Sequence, residues 1–186
     1  MRSYLAAAVQ MTASSSKAEN LAKAETFARS AAERGAALIV LPEVFSWRGR
    51  HRKEPEQVES IPGPTTHRLQ ELATRHAIHL LAGSFLEKSG ESRAYNTSLL
   101  FSPDGDIVAC YRKIHLFDVD IPGQVSIKES DSMKPGEEVV TATTQLGTVG
   151  LSICYDLRFA AFYQQLRLQG AEIFTVPSAF TAVTGE

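Results

Sequence analysis

Apolar residues along this chain fall into short continuous runs that alternate with stretches carrying a helical stripe. Tyr4 to Gln10 is such a run and predicts a buried strand. A helix should follow. Ser16 and Glu19 stand at capping-box spacing, Leu21, Ala24, Ala28 and Ala31 share one face, and Gly35 is placed to end it. Ala37 to Leu41 reads as a second buried strand. Gly63, Pro64 and Thr65 open a second helix with Leu69, Leu72 and Ala73 on its apolar face, before a strand over Leu80 to Leu86.

Tyr95 to Phe101 and Ile107 to Tyr111 are separated by Ser102, Pro103, Asp104 and Gly105, a turn sequence that predicts a hairpin. After a long polar loop, Val149 to Cys154 is a further apolar strand, and Phe159, Phe162, Tyr163 and Leu166 recur at helical spacing up to Gly170. Ile173 to Val176 begins another strand. The alternation predicts an α/β layered architecture with a mixed sheet, in a single domain spanning residues 1–186.

Composition narrows the function classes. With 186 residues, 44% of them hydrophobic and 22% charged, the chain has the balance of a globular protein with a substantial core. A formal net charge of -2 gives no global drive toward nucleic acid or an anionic membrane, so the expected partner is a small molecule or a protein. Two cysteines, Cys110 and Cys154, are too few for a disulfide scaffold and fit a reducing, cytoplasmic setting. No apolar run reaches membrane-spanning length, and the start lacks the long apolar core of a signal peptide.

Three strand ends present chemistry. Cys154 stands where a buried strand gives way to a helix start, and exposed amide groups there lower a thiol pKa and donate to an oxyanion. Glu43 follows the apolar run Leu38 to Pro42, which suits it to take a proton from a thiol or water. Lys113 ends the strand from Ile107, placed to pair with Glu43 and to stabilise charge on a substrate oxygen. Each has a plainer explanation: a packed thiol, a loop acid, a solvated strand-end charge. Together they fit the rule that ligand sites of open α/β sheets form at strand ends. His115 offers a competing Cys-His thiol hydrolase, and a non-catalytic interaction module is a third alternative. Asp118, Asp120 and Asp131 match no calcium loop and are expected to be solvated.

Leu41-Pro-Glu43, Tyr111-Arg-Lys113-Ile-His-Leu and Ile153-Cys154-Tyr-Asp-Leu-Arg-Phe159 resemble, in order and separation, the three catalytic motifs of the nitrilase or carbon-nitrogen hydrolase superfamily, in its amidase branch. The resemblance implies a nitrilase-like α-β-β-α sandwich with mixed sheets. It implies Glu43 as general base, Lys113 as oxyanion stabiliser and Cys154 as the nucleophile that forms a thioester, with no metal or organic cofactor. Tyr155 would add its backbone N–H at the oxyanion, and Glu129 matches an additional active-site glutamate.

Asp118 to Gln124, Val176 to Phe180 and Thr184-Gly185 are most similar to deaminated glutathione amidases, with omega-amidases next. Both remove a terminal amide from a 2-oxo acid, so a small amide bearing a carboxylate is the expected substrate, and Arg158 is the candidate to hold that carboxylate. The basic cluster Arg48, Arg50, His51, Arg52 and Lys53 reads as a solvated surface or as a mouth for an anionic substrate. Members of the family continue beyond the position of Glu186 into a helix and further strands. The resemblance therefore implies a sandwich truncated at its C-terminal end, and a homodimer when complete.

Overall fold

A computed structural model describes residues 3–49, 56–123 and 125–180. Strand β1, Leu5–Ala8, leads to helix α1, Lys17–Glu33, whose N-cap Ser16 accepts from the Glu19 N–H at 3.4 Å. Gly35, at φ +88°, turns the chain into β2, Ala36–Val40. Helix α2, Pro64–His76, starts with proline in its first turn, where no backbone donor is lost. β1 and β2 pair in parallel, as do β2 and β3, His79–Leu81.

The strand expected over Leu80 to Leu86 is two strands. β3 and β4, Phe85–Lys88, both pair antiparallel with one long strand, β5, Ala94–Phe101, along different parts of its length. They are parted by Ala82, Gly83 and Ser84, and the break serves the residues after β2. A Cβ on Gly83 would stand 2.0 Å from the Pro42 carbonyl oxygen, and φ there is +57°. The Ser84 hydroxyl accepts from the Val44 N–H at 2.9 Å and its carbonyl from the Phe45 N–H at 3.2 Å. The tight turn that carries Glu43 is thus bolted onto the gap.

β5 and β6, Ile107–Arg112, form the expected antiparallel hairpin and complete a six-stranded sheet. The segment read as a polar loop holds more structure than its composition suggested. It contains a small hairpin, β7 at Asp118–Ile121 with β8 at Val125–Lys128, then a 3-10 turn at Glu129–Asp131 and strand β9, Thr141–Thr144. β9, β10 (Gly147–Leu151) and β11 (Ile173–Thr175) make a second sheet, with β10 and β11 parallel. Helix α3 is Ala160–Leu168.

Side-chain parity sorts the layers. Ile39, Leu80, Leu99 and Phe101 pack with Leu21, Ala28, Leu69 and Leu72 of the two helices. Their neighbours Leu38, Leu81 and Leu100 point the other way and pack with Val149 and Leu151 of the second sheet and with Ile153 just past it. On that sheet's outer side Gly150 lets α3 approach, since a Cβ there would lie 3.0 Å from Ala171 and 3.3 Å from Leu166. The order is helices, sheet, sheet, helix, so the α-β-β-α sandwich is present with both sheets mixed.

Candidate active site

Glu43, Lys113 and Cys154 each lie just past a strand end: Glu43 beyond β2, Lys113 beyond β6 and Cys154 beyond β10. The first two come from one sheet and the cysteine from the other, and the sandwich brings them together. Lys113 is 2% exposed, and its Nζ lies 3.1 Å from Glu43 Oε1 and 2.9 Å from Glu129 Oε2. Burial alone would lower its pKa, but the two carboxylates outweigh that and raise it, so the ammonium keeps its charge.

Two carboxylates around one ammonium, Glu43 buried and Glu129 half-buried, need further donors, and the fold supplies them. Asn96, on β5, gives its side-chain amide to Glu43 Oε1 at 3.1 Å and to Glu129 Oε1 at 3.4 Å. Glu43 Oε2 accepts from the Ala179 N–H at 2.9 Å, and Glu129 Oε2 from the Phe117 N–H at 2.6 Å. Glu129, matched by resemblance to an additional active-site glutamate, lies against Lys113 and lines the same cavity. Asn96 and Ala179 were not foreseen from sequence. Asn96 is followed by Thr97 and Ser98 in β5, so its amide did not stand out from a polar stretch of the strand. Ala179 contributes only its backbone, which leaves no trace in side-chain chemistry.

The Cys154 thiol faces the Glu43 carboxylate, and both line one cavity. Its pKa is pushed up to about 12, by burial first and by the facing Glu43 carboxylate next, against the smaller opposing effects of the Ala179 N–H and Lys113. This corrects the expectation of a thiol acidified by a helix start. Cys154 opens a 3-10 turn, Cys154–Arg158, that precedes α3, and its own N–H is spent on the Pro177 carbonyl at 2.9 Å. At neutral pH the group is therefore a protonated thiol facing a carboxylate.

The same turn corrects the placement of Arg158. Four residues along an α-helix return to the same face, but a 3-10 turn has three residues per turn and carries the fourth about a third of a revolution away. Arg158 is exposed and does not line the cavity at Cys154. Tyr155 follows the nucleophile, half-buried, its ring edge-on to Phe117 at 5.0 Å between centroids. His115 is not beside the thiol. Its Nδ1 lies 2.7 Å from Asp156 and its ring stacks on Phe159, which removes the structural basis for a Cys-His pair. Of the basic cluster, Arg48 lines the cavity, while Arg50, His51, Arg52 and Lys53 lie outside the described residues, as does Thr184-Gly185.

The cavity above these groups measures about 580 Å³. Glu43, Lys113, Glu129 and Cys154 form part of its lining, Trp47, Phe117 and Phe180 give it aromatic walls, and β8 contributes Ser126, Ile127 and Lys128. No helix among the described residues is long and apolar enough to cross a membrane.

Comparison with known proteins agrees with this geometry. The carbon-nitrogen hydrolase family model matches residues 5–185. The chain is 41% identical over 185 residues to the omega-amidase NIT2 of Homo sapiens, covering 100% of this chain and 67% of that protein. It is 42% identical over 190 residues to a deaminated glutathione amidase of Synechocystis, covering 100% and 70%. The chain thus spans about two thirds of the length of these relatives. Among solved structures, the C. elegans NitFhit protein superposes with a TM-score of 0.87 at 34% identity, over 98% of this chain and 45% of that one. Saccharomyces cerevisiae Nit3, a member of branch 10 of the nitrilase superfamily, gives 0.82 at 33% identity, over 95% and 65%. On fold, motif order and sequence alike, the chain belongs to the carbon-nitrogen hydrolase family.

Proposed function

We propose that this chain carries the catalytic centre of an amidase that cleaves the terminal amide of a small 2-oxo acid amide, deaminated glutathione foremost, with release of ammonia. The observation that carries the reading is the convergence of Glu43, the Lys113 ammonium 3.1 Å from it and the Cys154 thiol on one cavity. As the sulfur attacks the amide carbon, its proton passes to Glu43, and Lys113 with the Tyr155 N–H meets the charge that develops on the oxygen. Glu43 returns the proton to the leaving ammonia. A water, deprotonated by Glu43, then opens the thioester and frees the thiol. The omega-amidase reaction on alpha-ketoglutaramate uses the same steps.

Lys113 is already matched by two carboxylates, so a substrate carboxylate needs another cation. Arg48 and Lys128 are exposed and line the cavity, and Lys128 lies only 3.4 Å from the equally exposed Asp131, a contact that water weakens. They take the role expected of Arg158. The direct test is intact mass after rapid quench with a 2-oxo acid amide: an acyl adduct mapped to Cys154 supports the reading, and turnover without any adduct, or an adduct on Cys110, refutes it. Comparing kcat/KM then places deaminated glutathione above alpha-ketoglutaramate, or reverses them. Light scattering on the active species tests the homodimer that the family resemblance implies.

A further inference from the structure

Asp156 is fully buried and takes no part in the contacts around Lys113. Its carboxylate joins two separate stretches of chain. From the cysteine side, the Ile153 N–H donates to Oδ2 at 2.8 Å. From the exit of β6, the Tyr111 hydroxyl donates to Oδ2 at 2.7 Å, the His115 N–H donates to Oδ1 at 3.1 Å, and the His115 Nδ1 lies 2.7 Å from that same Oδ1. The Tyr111 oxygen in turn accepts from the Ile114 N–H at 3.2 Å. Residues on both sides of Lys113 are therefore held to one carboxylate placed two positions after Cys154. The His115 ring lies flat against Phe159, 3.7 Å between centroids, at the end of the cysteine's own turn.

Such an anchor has a specific task. Cys154 holds a φ of +46°, which a residue with a Cβ keeps only when its surroundings over-determine it. A buried carboxylate is stable there only if donors surround it, and His115 supplies two of them.

We propose that Asp156 and His115 form a positioning pair that fixes the Cys154 turn against the Lys113 strand exit, with the His115 Nδ1–H as its adjustable link. The proposal rests on the amidase reading for its kinetic consequence but not for its geometry. In His115→Asn the side-chain amide nitrogen occupies the place of Nδ1, whereas in His115→Gln it reaches the place of Nε2, and both lose the stacking on Phe159. His115→Ala should lower kcat roughly thirty- to a hundredfold with KM little changed, the scale of a displaced reacting group. Asn should restore most of that loss and Gln should not. Iodoacetamide alkylation of Cys154, followed by peptide mass, should rise severalfold in Ala and Gln as the thiol loses burial, and stay near the parent rate in Asn.

Equal behaviour of Asn and Gln at matched melting temperature would overturn the proposal. If the Ala and Gln chains fail to fold, Tyr111→Phe removes a single hydroxyl from the same carboxylate. It should show the same pattern in milder form, and parent kcat and alkylation rate in that variant would also overturn the proposal. Absence of amide hydrolysis in the parent, with the alkylation order preserved, would sink the amidase reading and leave the positioning pair standing. Hydrolysis with kcat and alkylation indifferent to His115→Ala would do the reverse.

Discussion

Replacing Lys113 by methionine separates two consequences of one buried charge. The ammonium stands 3.1 Å from Glu43 and 2.9 Å from Glu129, on a side chain that is itself almost wholly buried. Removing it leaves buried Glu43 and half-buried Glu129 facing each other, with Asn96 and two backbone N–H groups as their donors among the described residues. Breaking a buried pair in this way costs about 3–5 kcal/mol. At about 2–4 °C per kcal/mol for a chain of this size, the melting temperature should fall by roughly 6–20 °C. Turnover should drop by roughly a hundredfold or more, as for one lost oxyanion donor. The two effects part in the double variant Lys113→Met/Glu129→Gln, which removes one of the stranded charges: thermal melts should recover most of the loss, while kcat stays low. A single variant as stable as the parent would refute the buried ion cluster, and a change confined to KM would make Lys113 a binding residue.

Other expectations follow from the same contacts. Cys154→Ala should abolish turnover and Cys110→Ala should be mild, since Cys110 is exposed on β6 away from the cavity; equal losses in steady-state assays would overturn the assignment. With its thiol pKa near 12, Cys154 should alkylate slowly at pH 8 and accelerate as pH rises. In Glu43→Gln the facing negative charge is gone, which favours the thiolate, so alkylation at a given pH should speed up while hydrolysis is lost; a slower rate would contradict the facing arrangement. Asn96→Leu deletes a donor to two charged acceptors, worth roughly 1.5–3 kcal/mol each, and should lower kcat at least tenfold in the same assay. Lys128→Ala and Arg48→Ala should raise KM for amides bearing a carboxylate and leave uncharged short amides unaffected; an equal rise for both would remove these residues from substrate recognition.

The features legible in sequence were those written in periodicity or in ends. The helices were announced by Ser16 and Gly63-Pro64, the β5–β6 hairpin by its turn, and Glu43, Lys113 and Cys154 by their places after apolar runs. What escaped depended on contacts between distant segments. The gap at Gly83 exists because the Pro42 carbonyl needs the space, and nothing near residue 83 encodes that. The β7–β8 hairpin carries alternating polar and half-buried residues that resemble a loop in composition. The 3-10 turn after Cys154 shares its periodic aromatics with α3, so its different pitch, and with it the outward swing of Arg158, could not be read.

In the proposed reaction the seam between the two sheets runs through the reacting atoms, with the proton acceptor and the cation on one side and the sulfur on the other. Neither layer holds a working fragment of the chemistry by itself. Turnover therefore acts as a built-in gauge of layer docking: a refolding chain should regain its helical signal before it regains any hydrolysis, and a solvent that loosens the seam should silence the enzyme while each sheet remains intact.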